Sequence, residues 1–67
     1  MIKNGVYVLQ KDATVTKDLK FSKNQEIEVV DGVLYMGGYP LPPNLQALIM
    51  TWMKANLGLF LTDNRNF

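Results

Sequence analysis

Hydrophobic and polar residues alternate most regularly in the segment EIEVVDGVLYM, residues 26–36. Asp31 and Gly32 in its middle form a preferred two-residue hairpin turn, because both tolerate the positive φ angles of a type I′ turn. The predicted pairs are Val30 with Val33, Val29 with Leu34, Glu28 with Tyr35 and Ile27 with Met36. One face of this hairpin is apolar and the other carries two glutamates, so a slip of one residue would bury both carboxylates.

Three shorter extended segments precede this hairpin. The first, GVYVLQ, begins at Gly5 and is rich in β-branched and aromatic residues. The second, KDATVTKD, alternates Ala13 and Val15 with threonines, and the third is the short segment LKF. A turn is predicted at Lys11 and Asp12, and another around Asn24, which suits a left-handed backbone conformation. The strands, over about residues 5–36, are therefore predicted to form an antiparallel meander, which can curl into a small barrel.

The hydrophobic period changes near residue 44. Apolar side chains then recur at the spacing of one helix face, which predicts a helix over about residues 44–57. Pro43 suits the first helical position and Gly58 the position just past the end. The residues predicted to face the sheet are Leu45, Leu48, Ile49 and Trp52. The terminal segment, residues 58–67, is predicted to add a short strand at 59–61 before a polar tail.

The segment GGYPLPPNLQ between sheet and helix contains two prolines at the PxxP spacing of polyproline II ligands. Such ligands need a neighbouring basic residue, and the nearest one, Lys54, lies across the helix. Residues 37–43 are therefore interpreted as a connector. The two glycines release the preceding strand, the prolines restrict the chain before the helix, and Tyr39 and Leu41 anchor the connector to the core.

These elements predict a single domain over residues 1–67 in the α+β class: an antiparallel sheet or SH3-like barrel of four to five strands, closed by one C-terminal helix. Hydrophobic residues make up 48% of the chain and charged residues 19%, which is typical of a globular protein and not of a highly charged, disordered one. A core of this size barely offsets chain entropy, and there is no cysteine for a disulfide. Self-association is therefore an expected source of added stability.

Candidate chemistry is sparse. The chain has no histidine and no cysteine, so it lacks the common zinc ligands and the usual general base and nucleophile. Glu26 and Glu28 are predicted to lie about 7 Å apart on one strand face, an arrangement typical of a solvated surface rather than of an acid and base pair. We therefore expect no catalytic residue, no metal site and no cofactor, and the protein is predicted not to be an enzyme.

The first 30 residues contain no apolar stretch resembling a signal peptide, and no run approaches the roughly 20 residues of a membrane span. With the absence of cysteine, this predicts a soluble, cytoplasmic protein without membrane contact. A small chain of this composition is typical of bacterial or bacteriophage accessory proteins.

The predicted helix has more apolar residues than one inward stripe needs. Met50 and Leu57 lie off that stripe, with Met53 at its edge and Gln46 among them. Exposed apolar patches commonly mark interaction surfaces, and methionine adapts to irregular partners. These four residues are therefore the candidate partner-binding site, for another protein or for a second copy in a homodimer. The alternative is that the C-terminal segment folds back and covers these apolar residues through Leu59, Phe60 and Phe67.

Basic and aromatic residues indicate a second class of partner. Residues 1–23 carry five lysines against two aspartates, whereas the rest of the chain carries two basic residues against four acidic ones. Small β-barrels bind single-stranded nucleic acid by stacking bases on rings beside a positive groove. The candidate nucleic-acid-binding residues are Lys11, Lys17, Lys20, Lys23 and Tyr7, with Phe21 and Tyr35 as further rings. The charge asymmetry is mild, and Tyr35 shares its face with two glutamates that would repel phosphate.

The sequence therefore predicts a small non-catalytic protein-interaction module that binds and modulates another macromolecule, most directly a protein. The alternative is a single-stranded nucleic-acid-binding β-barrel. The salt dependence of binding distinguishes the two, because affinity that comes from phosphate neutralisation falls steeply with ionic strength.

Overall fold

Strands and one helix follow one another along residues 2–63, the part of the chain that this computed structural model describes. The elements are β1 (Gly5–Leu9), β2 (Ala13–Thr16), β3 (Leu19–Phe21), β4 (Glu26–Val30), β5 (Val33–Met36), β6 (Tyr39–Pro40), α1 (Pro43–Ala55), a 3-10 turn (Leu57–Leu59) and β7 (Phe60–Asp63). The α+β class is confirmed. Residues 64–67 of the predicted polar tail, Phe67 among them, lie outside the described residues.

The main sheet is antiparallel with the strand order β6, β5, β4, β1, β7, and β2 and β3 form a separate two-stranded ribbon. The predicted meander is wrong at β1, which pairs with β4 and β7 rather than with β2. The Leu9 amide donates to the Gln25 carbonyl at 2.9 Å, and the Asn24 amide donates to the Leu9 carbonyl at 2.7 Å. These bonds join the end of β1 directly to the start of β4, so residues 10–25 form an excursion from the sheet.

The hairpin of β4 and β5 has the predicted register, with Val29 opposite Leu34 and Val30 opposite Val33. Asp31 has φ 50° and Gly32 has φ 81°, as a turn with two positive φ angles requires. The left-handed conformation predicted for Asn24 is also present, with φ 75°. The buried side chains of this hairpin are Ile27, Val29 and Leu34. Turn chemistry and alternation were therefore sufficient to predict this part of the sheet.

A second glycine turn follows β5. Gly37 and Gly38 have φ 61° and 84° and return the chain into β6, where Tyr39 lies opposite Met36. The prediction that these glycines release the strand is wrong, because they create a further short hairpin. Tyr39 is 78% exposed and does not anchor the connector, whereas Leu41 packs against the core as predicted.

Helix α1 begins at Pro43, as predicted, but it ends at Ala55 rather than at Leu57. Asn56 caps it: the Asn56 amide donates to the Met53 carbonyl at 3.0 Å, and Asn56 Nδ2 donates to the Trp52 carbonyl at 2.8 Å. Gly58, expected just past the helix end, lies within the 3-10 turn instead. No helix among residues 2–63 is long and apolar enough to cross a membrane.

The rotation of α1 differs from the prediction. Ile49 and Met53 are 1% and 0% exposed, whereas Leu48, predicted to face the sheet, is 42% exposed. Leu45 and Trp52 are half-buried against the core. The inward face is therefore turned by roughly 60° from the predicted one, at 100° per residue.

Aromatic rings join the helix to the remaining elements. Trp52 lies 5.7 Å from Phe21 of β3 and 5.6 Å from Phe60 of β7, measured between ring centroids. The Tyr7 ring of β1 meets the edge of Phe60 at 6.4 Å. The ribbon is thus held to the same core as the sheet. The short terminal strand predicted at residues 59–61 is present as β7, but it begins one residue later and extends to Asp63.

The rotation of α1 can be tested with two alanine variants of one helix. We expect Met53→Ala to lower the free energy of unfolding by about 2–4 kcal/mol, because it leaves a cavity in the core. Leu48→Ala should change it by about 1 kcal/mol or less at protein concentrations that keep the chain monomeric, because that side chain is already 42% exposed. Urea unfolding followed by Trp52 fluorescence measures both. A larger loss for Leu48→Ala would instead support the orientation predicted from the sequence.

Candidate interaction surfaces

Gln46, a predicted partner-binding residue, is used within the fold. Its Oε1 accepts from the Leu34 amide at 2.9 Å, and its Nε2 donates to the Leu34 carbonyl at 2.9 Å and to the Leu41 carbonyl at 3.0 Å. Both donor hydrogens of the carboxamide and one acceptor position are thereby occupied. The carboxamide that was predicted to serve a partner surface is therefore used within the chain.

The position of Gln46 explains how the chain leaves the sheet. The Leu41 amide still donates to the Leu34 carbonyl at 3.0 Å, as a continuation of the β5 and β6 ladder would require. The Leu34 amide and the Leu41 carbonyl, which would otherwise bond to each other, each bond to Gln46 instead. The carboxamide therefore acts as a wedge at the point where the connector separates from β5, and no buried polar side-chain atom among the described residues lacks a partner.

The other three predicted partner-binding residues do not form one exposed surface. Met53 is fully buried, so its assignment to a binding surface is wrong, because the rotation of α1 turns it into the core. Met50 is half-buried and packs against that core, whereas Leu57 is 44% exposed in the 3-10 turn. Of the residues proposed to cover them, Phe60 is buried and Leu59 is half-buried, and Phe67 lies outside the described residues.

The exposed side of α1 carries a different set of residues. Asn44, Leu48, Thr51 and Ala55 are all exposed and are spaced by four, three and four positions, which aligns them along one side of the helix. We call these four residues the outer helix stripe. The stripe has no charge, and Lys54 is the one charged residue within α1. The spacing was visible in the sequence, but Leu48 had been counted toward the core.

A second surface covers the side of the sheet opposite the helix. Directly opposed residues of an antiparallel pair lie on the same face. The register therefore forms one row across all five strands: Pro40, Tyr35, Glu28, Val6 and Asp63. We call this side the outer sheet face. It also includes Val8, Glu26 and Leu61, which lie opposite one another in β1, β4 and β7.

The predicted nucleic-acid-binding residues are only partly brought together. Lys11, Lys17, Lys20 and Lys23 are all exposed on the β2 and β3 ribbon or its turns. Tyr7 is 6% exposed, and its hydroxyl donates to the Lys3 carbonyl at 2.7 Å, so its assignment as a stacking platform is wrong. Burial also raises the pKa of the Tyr7 phenol, so this donor stays protonated to a higher pH than a solvated tyrosine does.

The two further rings considered for base stacking are not available beside the lysines either. Phe21 is 6% exposed and packs on Trp52, and Tyr35 lies opposite Glu28 on the outer sheet face. Within residues 2–63, no group of three or more acidic, histidine or cysteine side chains is arranged to hold a metal ion.

Comparison with known proteins gives no relative: no protein-family model matches the chain, and neither a curated protein nor a solved structure is significantly similar to it. Functional assignment therefore depends on the surfaces themselves.

The wedge role of Gln46 predicts a specific defect in Gln46→Glu. A carboxylate cannot donate to the Leu34 and Leu41 carbonyls, so we expect the free energy of unfolding to fall by about 1–3 kcal/mol at neutral pH. Repulsion between the carboxylate and these two carbonyl oxygens should displace the side chain and thereby also release the Leu34 amide, so hydrogen exchange followed by NMR should show faster exchange of that amide in this variant.

Gln10→Glu is the matched control, because Gln10 Nε2 makes an exposed bond to the Val8 carbonyl near the end of β1. It should leave both the stability and the exchange of Leu34 nearly unchanged. Equal effects of the two variants would contradict a specific role for Gln46.

Proposed function

We propose that this protein is a non-catalytic interaction module that binds and modulates another macromolecule, most directly a protein, through the outer helix stripe. The observation that carries the proposal is Leu48, 42% exposed at the centre of a helix side without charge. We also propose that the protein is soluble and cytoplasmic and that it is of the accessory type found in bacteria and bacteriophages, of which its composition is typical.

The chemistry of the stripe favours helix packing. A surface helix usually presents charged and polar residues to water, whereas the outer helix stripe presents leucine with asparagine, threonine and alanine, and the exposed Lys54 lies beside the stripe. Spacings of four and three are those of a helix-packing seam, and small neighbours allow a second helix to approach closely. The stripe is about 16 Å long at 1.5 Å per residue, which suits a small and reversible interface.

A second copy of the chain is the simplest partner. Two stripes related by a twofold axis would bring Leu48 of one copy against the small residues of the other, as an isologous interface requires. A chain of 67 residues without cysteine also gains stability when a partner covers exposed apolar area. Leu57, 44% exposed at the end of the helix, extends the apolar area available to a partner.

The alternative function is binding of single-stranded nucleic acid by the ribbon. The supporting observation is the exposure of Lys11, Lys17, Lys20 and Lys23 on that element. Asp12 and Asp18 lie among them and reduce the positive field, and the rings proposed beside them are buried or lie elsewhere. The protein-binding proposal is therefore the stronger of the two.

The proposed interface predicts that Leu48→Lys weakens association without unfolding the protein. A lysine placed at the centre of the stripe must lose its hydration when a partner docks, whereas in the free chain it points into water. Sedimentation velocity over a wide concentration range should show association of the wild type that changes little with salt, and at least tenfold weaker association of the variant.

Thr14→Lys is the matched control, because it adds the same charge at an exposed position of the ribbon. It should associate as the wild type does. A photo-crosslinking side chain introduced at Leu48, compared with one at Thr14, extends the test to partners other than a second copy. A chain that remains monomeric and gives no adduct specific to Leu48 would contradict the proposal.

The nucleic-acid alternative makes a separate prediction. If the ribbon binds single strands, affinity for a short mixed-sequence oligonucleotide should fall steeply with salt, and Lys20→Gln should make that dependence shallower. Fluorescence anisotropy of a labelled oligonucleotide measures both. Under the protein-binding proposal, no such binding is expected at physiological ionic strength.

A further inference from the structure

We propose that strand β7 pairs edge to edge with β7 of a second copy of the chain, in an antiparallel register centred on Leu61. The pairing joins the five-stranded sheets of the two copies into one sheet across a twofold axis. It uses a different surface from the outer helix stripe and does not depend on it.

The two edges of the main sheet differ in how they are protected. Strand order places β6 at one edge and β7 at the other among the described strands. Natural sheets block edge-to-edge pairing with very short strands, prolines and lysines. β6 has two residues, one of them Pro40 without an N–H, whereas β7 has four residues without proline or lysine. β7 is therefore the edge that is open to another strand.

The register shows which backbone groups of β7 point away from β1. The Gln10 amide donates to the Leu59 carbonyl at 2.8 Å, and the register continues without a break from this pair into β7. Because inward and outward groups alternate along a strand, Phe60 and Thr62 direct their N–H and C=O groups outward. The Phe60 amide already donates to the Leu57 carbonyl. This leaves the Thr62 N–H, the Thr62 C=O and the Phe60 C=O for another strand.

Two copies of this edge complement each other. In the register centred on Leu61, Thr62 of each copy lies opposite Phe60 of the other, and the Thr62 amide donates to that Phe60 carbonyl. The twofold axis makes the same bond twice. The pairing does not need the Phe60 amide, the one outward group that is already bonded.

The exposed side chain of β7 favours the same register. Leu61 lies on the outer sheet face and is 62% exposed, more than either Leu48 or Leu57. At the centre of the register, the two Leu61 residues form a non-hydrogen-bonded pair with Cα atoms about 4.5 Å apart, where opposed side chains are closest. The pairing therefore removes from water apolar area that the described chain leaves uncovered.

The neighbouring registers are less favourable. Only registers that place outward-pointing residues opposite one another form hydrogen bonds, so the alternatives are centred on Phe60 or on Thr62. The first needs the Phe60 amide, which is already bonded. The second places Leu61 opposite Asp63 of the other copy and sets the two Asp63 residues about 7–8 Å apart on a diagonal. In the register centred on Leu61 they are about 14 Å apart along the strands, beyond the Debye length of about 8 Å at physiological ionic strength.

The chain has no cysteine, so single-cysteine variants test this contact directly. In Leu61→Cys, the introduced thiols of the two copies lie opposite each other at a Cα spacing that a disulfide accepts. In a glutathione redox buffer we expect Leu61→Cys to form a linked dimer at least tenfold faster than Thr14→Cys, whose thiol is exposed on the ribbon. Equal rates would overturn the proposal. Leu48→Cys reports on the outer helix stripe in the same assay, so failure of one interface is distinguishable from failure of the other.

Thr62→Pro tests the hydrogen bonds of the pairing. Proline removes the outward N–H but no bond between β7 and β1, because the Thr62 amide points away from β1. Sedimentation velocity should show association through β7 weakened at least tenfold, whereas Thr62→Val, which keeps the amide and the branched shape, should associate as the wild type does. If both surfaces bind copies, the wild type grows beyond a dimer and Thr62→Pro reduces it to a dimer. Unchanged association of Thr62→Pro would contradict the pairing, and Leu61→Lys repeats the test at a side chain that is solvated in the single chain.

Hydrogen exchange of the Thr62 amide distinguishes the other occupants of this edge. Under the proposal this amide exchanges quickly at concentrations where the chain is monomeric and slowly where it is dimeric. Protection that is independent of concentration would show that the chain's own residues 64–67 cover the edge, and fast exchange at every concentration would show that no copy binds there. Either result would overturn the proposal.

Discussion

The wedge formed by Gln46 is the contact on which the arrangement of helix and sheet depends. It bonds to the amide and carbonyl of Leu34 and to the carbonyl of Leu41. Because these bonds need the carboxamide at the edge of β5, they turn the first part of α1 so that the face near Gln46 points at the sheet. Ile49 and Met53, three and seven residues further on, are then carried into the core.

That rotation determines which surfaces other molecules can reach. Met53 is removed from the surface and Met50 is half covered, while Leu48 is exposed on a side of α1 without charge. The same small chain separates its charges: the ribbon carries four exposed lysines, and the outer sheet face carries carboxylates around Val6. Three surfaces of different chemistry thus surround one core.

The contacts among the rings of Phe21, Trp52 and Phe60 show how so small a core can retain a segment that leaves the sheet. Residues 10–25 leave between β1 and β4, and their ribbon would have little to pack on by itself. Trp52 contacts both Phe21 of the ribbon and Phe60 of the last strand, so one side chain from α1 joins elements that share no backbone pairing. Aromatic residues bury a large area each, which makes such a cluster effective in a short chain.

The features predicted correctly from the sequence are those that neighbouring residues determine. Asp31 and Gly32 specify a turn and hence a register, Asn24 specifies a left-handed position, and Pro43 begins the helix, because each acts through its own backbone preferences. Strand partners are different, because β1 can pair with any strand of suitable pattern, and only the competition for burial across the whole chain selects β4 and β7. The apolar residues of α1 likewise span a wide arc, so periodicity alone left its rotation open. Only the tertiary structure decided it, because Gln46, polar and therefore expected at the surface, finds its partners on the backbone of a strand twelve residues away.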